Sequence, residues 1–595
     1  MAAGPAQIRV EAITITNFRG ISHLQLELDP KLTVLVGRNN AGKSRVLRAI
    51  ALALGAASAE RDDLTVDGPA EAHVDLILAP ADTDAHGNQR FDKGLSSQIR
   101  QVRRTISETP QQERIGWRTT ISSSVEGLSA TASRNVLQWD VGKSLWTPTL
   151  SALDSGLLRS LCRAHLIETG RDLVAELRQR GTAANRLVDR LEIEPGAVDE
   201  LQRQLDELGT ALVEKSATLK QIKASLSDLA ERVDAIGSPE VKAIPGRLDD
   251  LSAVASIELM SHDGRHLPLR LHGTGARSLA SLKLQGVSYE RRLGADGGDL
   301  RPHAVSLVEE PEAHLHPQAQ FDLPGLFTGM PGQIIVSTHS THLVSEVAPT
   351  SLRILCPSNT SLKVTSLLPI DDPAEGDLPP RQLQKRLFVS EMEKLRRTVE
   401  RPFGELLFAS AVVIGDGATE RALLPPLLKK ELGLAAYGIC VIDPGSMKSP
   451  ESIAVIKAAV LLDIPWFLFA DGDDDGTEAV EHLTELAERP ARVVRIANGH
   501  ATERMFLDHC RDVCIAALGH VAPDAVLTDD AAIVKLLKKH KGASGRYLAL
   551  ELIAQRPSLQ DWPKPLVDLV ALIRAELVPP AADSNKGGPG DGENA

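Results

Sequence analysis

Two phosphate-handling motif sets stand in opposite halves of this chain, and they constrain its fold more than any other feature. The first is the run Gly37–Ser44, and the second joins the run Asp416–Glu420 to the run Asp471–Asp473. Each set needs a turn at the end of a buried strand, because such turns bring backbone N–H groups or carboxylates into one crevice. The sequence therefore predicts an α/β protein with a separate α/β unit in each half.

The length and charge of the chain set the next limits. A chain of 595 residues is too long for one hydrophobic core, so three or four units of about 100 to 200 residues are expected. The formal net charge of −13 disfavours a nucleic-acid partner only weakly. Clustered carboxylates that hold divalent ions lower the net charge themselves, and they leave room for a local basic groove.

The chain has no pattern of a secreted or membrane protein. Its five cysteines are scattered without a CxxC pair, which predicts reduced, structural thiols. Residues 1–7 lack a signal pattern, and no run of about 18 apolar residues occurs. We therefore expect a cytoplasmic protein with no membrane segment.

The first motif set follows a strand and precedes a helix. Alternating apolar residues predict strands over 8–15 and 24–28, and the run Leu32–Val36 leads into the loop before a helix over 45–54. The loop matches the pattern GxxxxGK[ST], which predicts binding of ATP with Mg²⁺. Backbone N–H groups would surround the phosphates, Lys43 would reach the β and γ phosphates, and Ser44 would be a ligand of Mg²⁺. The predicted nucleotide contacts of this loop are Gly37, Asn39, Asn40, Gly42, Lys43 and Ser44.

Two later strands carry further polar groups of an ATPase. The run Val305–Pro311 predicts a buried strand that ends in Glu309 and Glu310, which would hold Mg²⁺ and polarise the attacking water. The alternative is an edge strand capped by solvated glutamates. The run Ile334–Ser340 repeats the design with His339 at the strand end, where it could contact a γ-phosphate.

The region between these motifs is predicted in two parts. Residues 84–149 are expected to be irregular, with Trp117, Trp139 and Trp146 as local core anchors. Apolar residues then alternate at spacings of four and three from Leu201 to Ile236, which is typical of a coiled coil about five heptads long. Its partner could be an earlier helix around 173–191 or another subunit, and a helix on a globular body is the alternative.

These residues resemble the ABC-type ATPases of the SMC, RecF and OLD groups. The resemblance is carried by Pro311–Pro317, by Thr338–Ser340 and by Asn17–Gly20. It implies that ATP is bound between two heads, and hence a homodimer or a larger assembly. It also implies a signature segment over His272–Ser278, with Ser278 as a nucleotide contact.

The second motif set follows two more apolar strands, 411–414 and 464–470. Carboxylates at the carboxyl ends of neighbouring strands converge in one crevice, where Mg²⁺ or Mn²⁺ can be shared. One alternative is a calcium loop of EF-hand type, with Asp471, Asp473 and Asp475 as ligands but His482 at the last position. The other alternative is a solvated acidic turn.

This pattern resembles the Toprim domain over residues 406–575, and an ATPase followed by Toprim resembles the OLD (overcoming lysogenization defect) nucleases, including the Gabija-type subunit. The resemblance implies that Glu503 and Lys541 complete the site. One position departs from the family pattern, because Asp416 stands where Glu is usual; its shorter side chain could shift a metal or weaken general-base action. The predicted metal ligands of the nuclease site are Asp416, Glu420, Asp471, Asp473 and Glu503.

The fold class expected from these observations is an α/β ATPase head with a helical or coiled-coil insertion, followed by a Toprim α/β domain. The predicted boundaries are 1–150 and 246–400 for the two parts of the ATPase, 151–245 for the insertion, 405–578 for Toprim and 579–595 for a disordered tail.

The leading hypothesis for function is an ATP-regulated DNA endonuclease or nickase. Two ions about 4 Å apart would activate a water and stabilise the leaving oxygen, while Lys541 would neutralise charge in the transition state. DNA, a second copy of the chain and a helicase-like protein are the expected partners. A RecF-type clamp with a non-catalytic Toprim fold is the alternative, and a topoisomerase or primase is disfavoured because no catalytic tyrosine domain or zinc module is recognisable.

Overall fold

The computed structural model describes residues 8–577 with internal gaps. The gaps are 67, 93–94, 96–97, 124–128, 168–196, 217–257, 261–265, 269–274, 276, 281, 284–301, 314, 358–361, 369–370, 372–385, 399–401, 446, 448, 486–491, 498 and 528. The predicted disordered tail, most of the predicted coiled coil and residues 272–274 of the signature segment lie outside the described residues.

Strands occur through the described chain as far as Arg495. They are β1 (Ile8–Phe18), β2 (Ile21–Glu27), β3 (Leu32–Val36), β4 (Glu71–Pro80), β5 (Arg103–Glu108), β6 (Gln111–Ser123), β7 (Ala130–Asp140), β8 (Leu145–Ala152), β9 (Cys162–Ile167), β10 (Glu258–Met260), β11 (His266–Pro268), β12 (His303–Glu309), β13 (Gln333–Thr338), β14 (Leu352–Pro357), β15 (Leu362–Ser366), β16 (Ala411–Gly415), β17 (Ile439–Ile442), β18 (Trp466–Ala470) and β19 (Arg492–Arg495).

Helices are concentrated in the second half. They are α1 (Lys43–Ala53), α2 (Ser155–Leu161), α3 (Val198–Lys215), α4 (Pro317–Phe321), α5 (Leu323–Thr328), α6 (Thr341–Glu346), α7 (Val389–Thr398), α8 (Pro402–Phe408), α9 (Ala418–Leu432), α10 (Pro450–Leu461), α11 (Asp474–Glu485), α12 (Thr502–His509), α13 (Arg511–Val521), α14 (Asp530–Lys539), α15 (Lys541–Gln555) and α16 (Lys564–Leu577). The chain divides into two compact units, residues 1–34 with 42–338 and residues 35–41 with 339–595.

A seven-stranded sheet in the first unit has the order β2-β1-β4-β6-β7-β8, with β5 paired to β6. The prediction that residues 84–149 are irregular is therefore wrong, because they contribute four antiparallel strands. The pattern was easy to miss since the strands alternate apolar residues with Ser, Thr and Arg. Trp117 is fully buried and its indole N–H donates to the carbonyl of Ala53 at 3.0 Å. Trp139 and Trp146 are half-buried and pack edge to face on the β7–β8 hairpin, with ring centroids 5.2 Å apart.

A six-stranded sheet has the order β15-β14-β3-β13-β12-β9. Strand β12 runs parallel to both β9 and β13, and β14 is antiparallel to β15. All six residues of β13 are buried, as are the five central residues of β12. Continuous burial is typical of parallel strands that are covered on both faces.

The turn between β1 and β2 is held by ion pairs. Asn17, Arg19 and Gly20 all have positive φ angles, of 57°, 46° and 80°. The guanidinium of Arg19 donates to the fully buried carboxylate of Asp63 at 2.7 Å, and Arg48 of α1 donates to the same carboxylate. These contacts fix a turn that would otherwise be strained, because non-glycine residues rarely adopt positive φ.

The second unit contains a four-stranded sheet with the order β17-β16-β18-β19, and every pair in it is parallel. Strands β16 and β18 are buried throughout. Helices connect each strand to the next along the chain, which is the arrangement of successive βαβ units. Strand order reverses between β16 and β18, and in such sheets the crevice at the carboxyl ends beside this reversal is where ligands bind.

Candidate functional site

Three aspartates stand at the carboxyl ends of three adjacent parallel strands. Asp416 follows β16, Asp443 follows β17 and Asp471 follows β18. All three side chains are half-buried. The sheet therefore places these carboxylates along the same edge, with Asp416 and Asp471 on either side of the point where strand order reverses.

Two glutamates from helix starts join this edge. Glu420 lies in the first turn of α9 and Glu503 in the first turn of α12, and their exposed fractions are only 5% and 4%. The Thr419 hydroxyl donates to Glu503 Oε1 at 2.9 Å. Gly415 leaves room for this packing, because a Cβ at that position would lie 2.6 Å from the Cβ of Glu420.

Burial, with a smaller contribution from neighbouring charges, raises the pKa values of three carboxyl groups at this edge. Burial raises the pKa of Asp471 to about 7, and the charges of Asp416 and Glu503 act in the same direction. Burial also raises the pKa of Glu420 to about 7, with Asp471 and Glu503 adding to the rise. For Asp416, burial is the main cause of a raised pKa, and Asp473 and Asp443 contribute. Such mutual repulsion is relieved by a bound cation.

The donor chemistry fits a hard divalent cation, because Mg²⁺ and Mn²⁺ prefer carboxylate oxygens. Within the described ranges, no three His, Cys, Asp or Glu side chains converge closely enough to surround one ion. Asp471 Oδ1 accepts from the backbone N–H of Thr502 at 3.1 Å, which leaves Oδ2 for another partner. The cluster thus supplies suitable ligands, while its carboxylates are partly engaged by threonine groups.

The calcium-loop alternative does not fit the structure. An EF-hand loop needs twelve residues in loop conformation, yet α11 already begins at Asp474. Asp473 lies directly before this helix and is exposed. The solvated-turn alternative applies to Asp473 better than to Asp471, whose half-buried carboxyl group has a raised pKa.

Lys541 is the first residue of α15, and its side chain is exposed. Its charge lowers the pKa of Asp416, against the larger effect of burial, so the ammonium group lies within electrostatic range of the cluster. Helices α9 and α15 meet at their first turns, because a Cβ at Gly545 would lie 2.4 Å from the carbonyl oxygen of Thr419. Close packing at this glycine sets Lys541 beside the acidic edge.

Sequence reasoning missed Asp443 and the two threonines. Asp443 is followed by Pro444 and Gly445, so it was hidden in what reads as an ordinary turn. Its position at the end of a strand next to β16 could have identified it. Thr419 and Thr502 each precede a predicted ligand, at the start of a helix.

Lys43 is the main residue of the first motif set within the first unit. This lysine begins α1 and is 5% exposed. Burial lowers its pKa to about 8, and the nearby charges of Glu310 and Glu312 oppose that effect. Glu312, to which the sequence assigned no role, accepts a hydrogen bond from the Thr338 hydroxyl at 2.8 Å. Glu310 has a φ of 40°, a conformation that non-glycine residues adopt mainly where structure or function enforces it.

The other predicted contacts of this unit are placed as follows. Ser44 is exposed in the first turn of α1, Glu309 is the half-buried last residue of β12, and Ser278 is half-buried in helical conformation. Gly42, the N-cap of α1, has a φ of 92°, and as a glycine it has no side chain that could cap the helix. The first backbone N–H groups of this helix are therefore not capped by a side chain, as a phosphate-binding helix start requires.

Residues of the same loop that belong to the second unit form a close-packed cradle. A Cβ at Gly37 would lie 2.8 Å from the carbonyl oxygen of Leu355 and 3.0 Å from the Cβ of Ala41. Asn40 has a φ of 64°, and both Asn39 and Asn40 are exposed. The cradle has no space for a side chain at position 37, so this position requires glycine.

A cleft of about 870 Å³ in the second unit brings residues of the first motif set beside the start of β17. Arg38, Asn39 and His339 line it, and so do Tyr437–Cys440 at the start of β17. The imidazole of His339 lies near the ring of Phe408, with centroids 6.3 Å apart. Strand β17 thus runs from this cleft to Asp443 in the acidic cluster.

Comparison with known proteins identifies both halves. The family described as AAA ATPase domain matches residues 9–93 and 168–344, and the family described as overcoming lysogenization defect protein-like, TOPRIM domain matches residues 407–473. An OLD nuclease of Thermus scotoductus is 25% identical over 526 residues, which are 84% of this chain and 90% of that protein. The chain is an ATPase–Toprim protein of the OLD family. This finding confirms the predicted fold class, an α/β ATPase followed by Toprim.

Two further matches cover less of this OLD-family protein. A DNA replication and repair protein RecF of Mesorhizobium japonicum is 25% identical over 354 residues, 52% of this chain and 86% of the relative. A solved Smc head bound to the C-winged helix domain of ScpA aligns with 60% of this chain and 97% of its own length, at 14% identity and a TM-score of 0.33.

Two other sequence predictions concern the cysteines and membrane segments. All five cysteines are free thiols, and four of them are buried. Among the helices of the described ranges, none is long and apolar enough to cross a membrane.

Proposed function

We propose that this OLD-family protein is a divalent-metal-dependent DNA endonuclease or nickase whose cleavage is regulated by ATP. The observation that carries the proposal is the acidic edge of the four-stranded sheet. It combines half-buried and buried carboxylates of raised pKa with an exposed lysine, at the reversal of strand order where ligands bind. A role in phage defence or DNA processing follows from the proposed activity.

The proposed metal ligands are Asp416, Glu420, Asp471, Asp473 and Glu503, and Asp443 lies close enough to contribute charge. Bound Mg²⁺ or Mn²⁺ would supply Lewis-acid stabilisation and a more acidic water. The chain itself would hold these ligands apart through Thr419 and the N–H of Thr502.

Lys541 and Asp471 would act on the phosphodiester and on the attacking water. The Lys541 ammonium would stabilise negative charge on a non-bridging phosphate oxygen. Within the described residues, Asp471 Oδ2 accepts no hydrogen bond, so this oxygen would be available to accept one from the attacking water.

The proposed regulator is ATP held by the first motif set. Lys43 and the cradle at Gly37 would bind phosphates, Ser44 and Glu309 would hold Mg²⁺, Glu310 would orient a water and Ser278 would complete the site from a second copy. Arg38 and His339 line the same cleft as the start of β17. Binding or hydrolysis of ATP would therefore alter the surroundings of the strand that ends at Asp443.

Cleavage of supercoiled plasmid with Mg²⁺ or Mn²⁺, with and without ATP, tests this proposal. Wild type should nick or linearise the plasmid, and EDTA should abolish cutting. Lys43→Ala should keep metal-dependent cutting but lose its response to ATP. Failure of the wild type to cut with any metal, over a range of ATP concentrations and DNA forms, would contradict the nuclease proposal.

The second candidate is a RecF-type DNA-clamping ATPase with a non-catalytic Toprim fold. It is favoured by the similarity to RecF and by Asp416 in place of the family's glutamate. It predicts ATP-dependent DNA binding without cleavage in the plasmid experiment.

A further inference from the structure

Four exposed cations lie on the two helices on either side of His540, and Lys541 begins the second of these helices. Lys535, Lys538 and Lys539 lie on α14, and Arg546 lies in the second turn of α15. All four side chains are exposed. We call these four residues the cationic ridge, with Lys541 at its inner end. The 20 residues from Ala531 to Leu550 contain no aspartate or glutamate, although the whole chain carries 79 acidic and 66 basic residues.

The cations of the ridge have no ion pair within the described residues, unlike five arginines of the same unit. Within the described residues, none of the four, and not Lys541 either, has a carboxylate within salt-bridge distance. Elsewhere in this unit, arginines are paired with carboxylates; these are Arg492, Arg504, Arg511, Arg556 and Arg574. The ridge therefore presents uncompensated positive charge on a chain that is acidic overall.

Helix geometry gathers the lysines on one face. Positions 535, 538 and 539 are spaced by three and four residues, so their side chains share one side of α14. Ile533 and Leu537 are buried on the opposite side. The three lysines span about 6 Å along the axis, at about 1.5 Å per residue, which is close to two phosphate steps of about 3.4 Å along one DNA strand.

Helix stability accounts for only part of this pattern. Lys538 and Lys539 lie in the last turn of α14, where cations are favoured by the helix dipole. Lys541, in contrast, begins a helix of 15 residues whose first turn has no acidic residue. A cation there is unfavourable, because the helix dipole places partial positive charge at this end. Lysines without ion pairs thus stand at the end of α14 and at the start of α15, and this concentration of positive charge indicates an anionic ligand.

We infer that the cationic ridge binds the phosphodiester backbone of the nucleic acid next to the scissile bond. The inference rests on the proposed function, and it assigns the path that the bound nucleic acid follows away from the acidic edge. Two observations support this occupant: the ridge is opposite in charge to a nucleic-acid strand, and it is continuous with Lys541, which lies within electrostatic range of Asp416. The contacts are to phosphates, so they should fix position without selecting a base sequence.

The test compares two triple variants of the full-length protein. Lys535→Gln/Lys538→Gln/Lys539→Gln removes three charges from the ridge. Lys363→Gln/Lys430→Gln/Lys564→Gln removes three charges from exposed lysines elsewhere in the same unit. Binding to duplexes of two unrelated sequences is measured with Ca²⁺ in place of Mg²⁺, over a range of salt concentrations.

The ridge variant should bind both sequences at least tenfold more weakly than the control variant at low salt. The slope of log affinity against log salt should become shallower by about 2 to 3, because each lost phosphate contact removes about 0.9. In cleavage assays KM should rise while kcat at saturating DNA stays within about threefold. Replacing the three lysines by arginine should restore binding.

Equal affinity and equal salt slope for the two variants would overturn the ridge assignment. A wild type that binds DNA through the ridge but never cuts would contradict the proposed nuclease and leave the ridge standing. A wild type that cuts normally while the ridge variant binds like the control would contradict only the ridge.

Discussion

At the scale of single residues, Gly415 determines whether Glu420 can occupy the acidic edge. A Cβ at this position would lie only 2.6 Å from the Cβ of Glu420, so only glycine leaves enough space. Gly415→Ala should therefore displace Glu420 and lower kcat for metal-dependent cleavage at least tenfold, since misplacement by about 1 Å can cost about a hundredfold. Gly519→Ala is the control, because a Cβ there meets nothing within 4 Å. Equal kcat for the two variants and the wild type would count against Glu420 as a ligand.

His303 gives the first unit a predictable response to acid. Burial lowers the pKa of this histidine to about 4, and neutral His303 lies 3.4 Å from Gln333 Oε1. The unfolded chain, with a histidine pKa of about 6.5, binds a proton more readily than the folded chain. Stability is therefore full above about pH 7 and falls as the pH drops towards 4.

The loss between pH 8 and pH 5 should be of the order of 1–2 kcal/mol for this group. His303→Gln cannot take up the proton, so its midpoint of urea unfolding should change less between these pH values than that of the wild type. Parallel pH profiles for the two proteins would show that His303 is protonated in the folded state.

At the level of elements, β17 runs from the cleft lined by Arg38 and His339 to the acidic edge. Tyr437 lines the cleft just before this strand and is 69% exposed, so replacing it should cost little stability. Tyr437→Ser should leave cleavage without ATP within about twofold of wild type and reduce the change in rate that ATP causes. Leu434→Ser, in the same 3-10 segment (Gly433–Gly438) and 87% exposed, is the matched control. An unchanged ATP response in Tyr437→Ser would argue against this route.

The elements around both motif sets could be predicted because strand, turn and helix signals agree there. Buried runs such as Ala411–Ile414 and Ile334–Thr338 end at the polar residues that the motifs require. Strands β5–β8 were not predictable in the same way, because half of their residues face solvent and are Ser, Thr or Arg. The role of Asp443 needs the order of the strands, since only adjacency to β16 brings a turn residue into the site.

At the scale of the whole molecule, the apolar face of α3 is exposed. Leu201, Leu208 and Leu212 are 38%, 55% and 43% exposed, at the positions predicted to form a coiled-coil seam. If this seam joins two copies, replacing the three leucines by serine should lower the mass in solution towards 63.9 kDa, the mass of one chain. Leu150→Ser, on an exposed strand position, should leave the mass unchanged. An unaltered mass in the triple variant would place the contact between copies elsewhere.

The proposed function depends most on cleavage of a phosphodiester bond at the acidic edge. Single-turnover cleavage of a plasmid with Mn²⁺ tests it directly when Asp471→Asn is compared with Asp474→Asn. The first variant removes a charge from the cluster without changing its shape, and the second removes one from an exposed neighbouring carboxylate. We predict that Asp471→Asn loses at least a hundredfold in rate while Asp474→Asn cuts within about threefold of wild type. Retention of the wild-type rate by Asp471→Asn would contradict the assignment of the site.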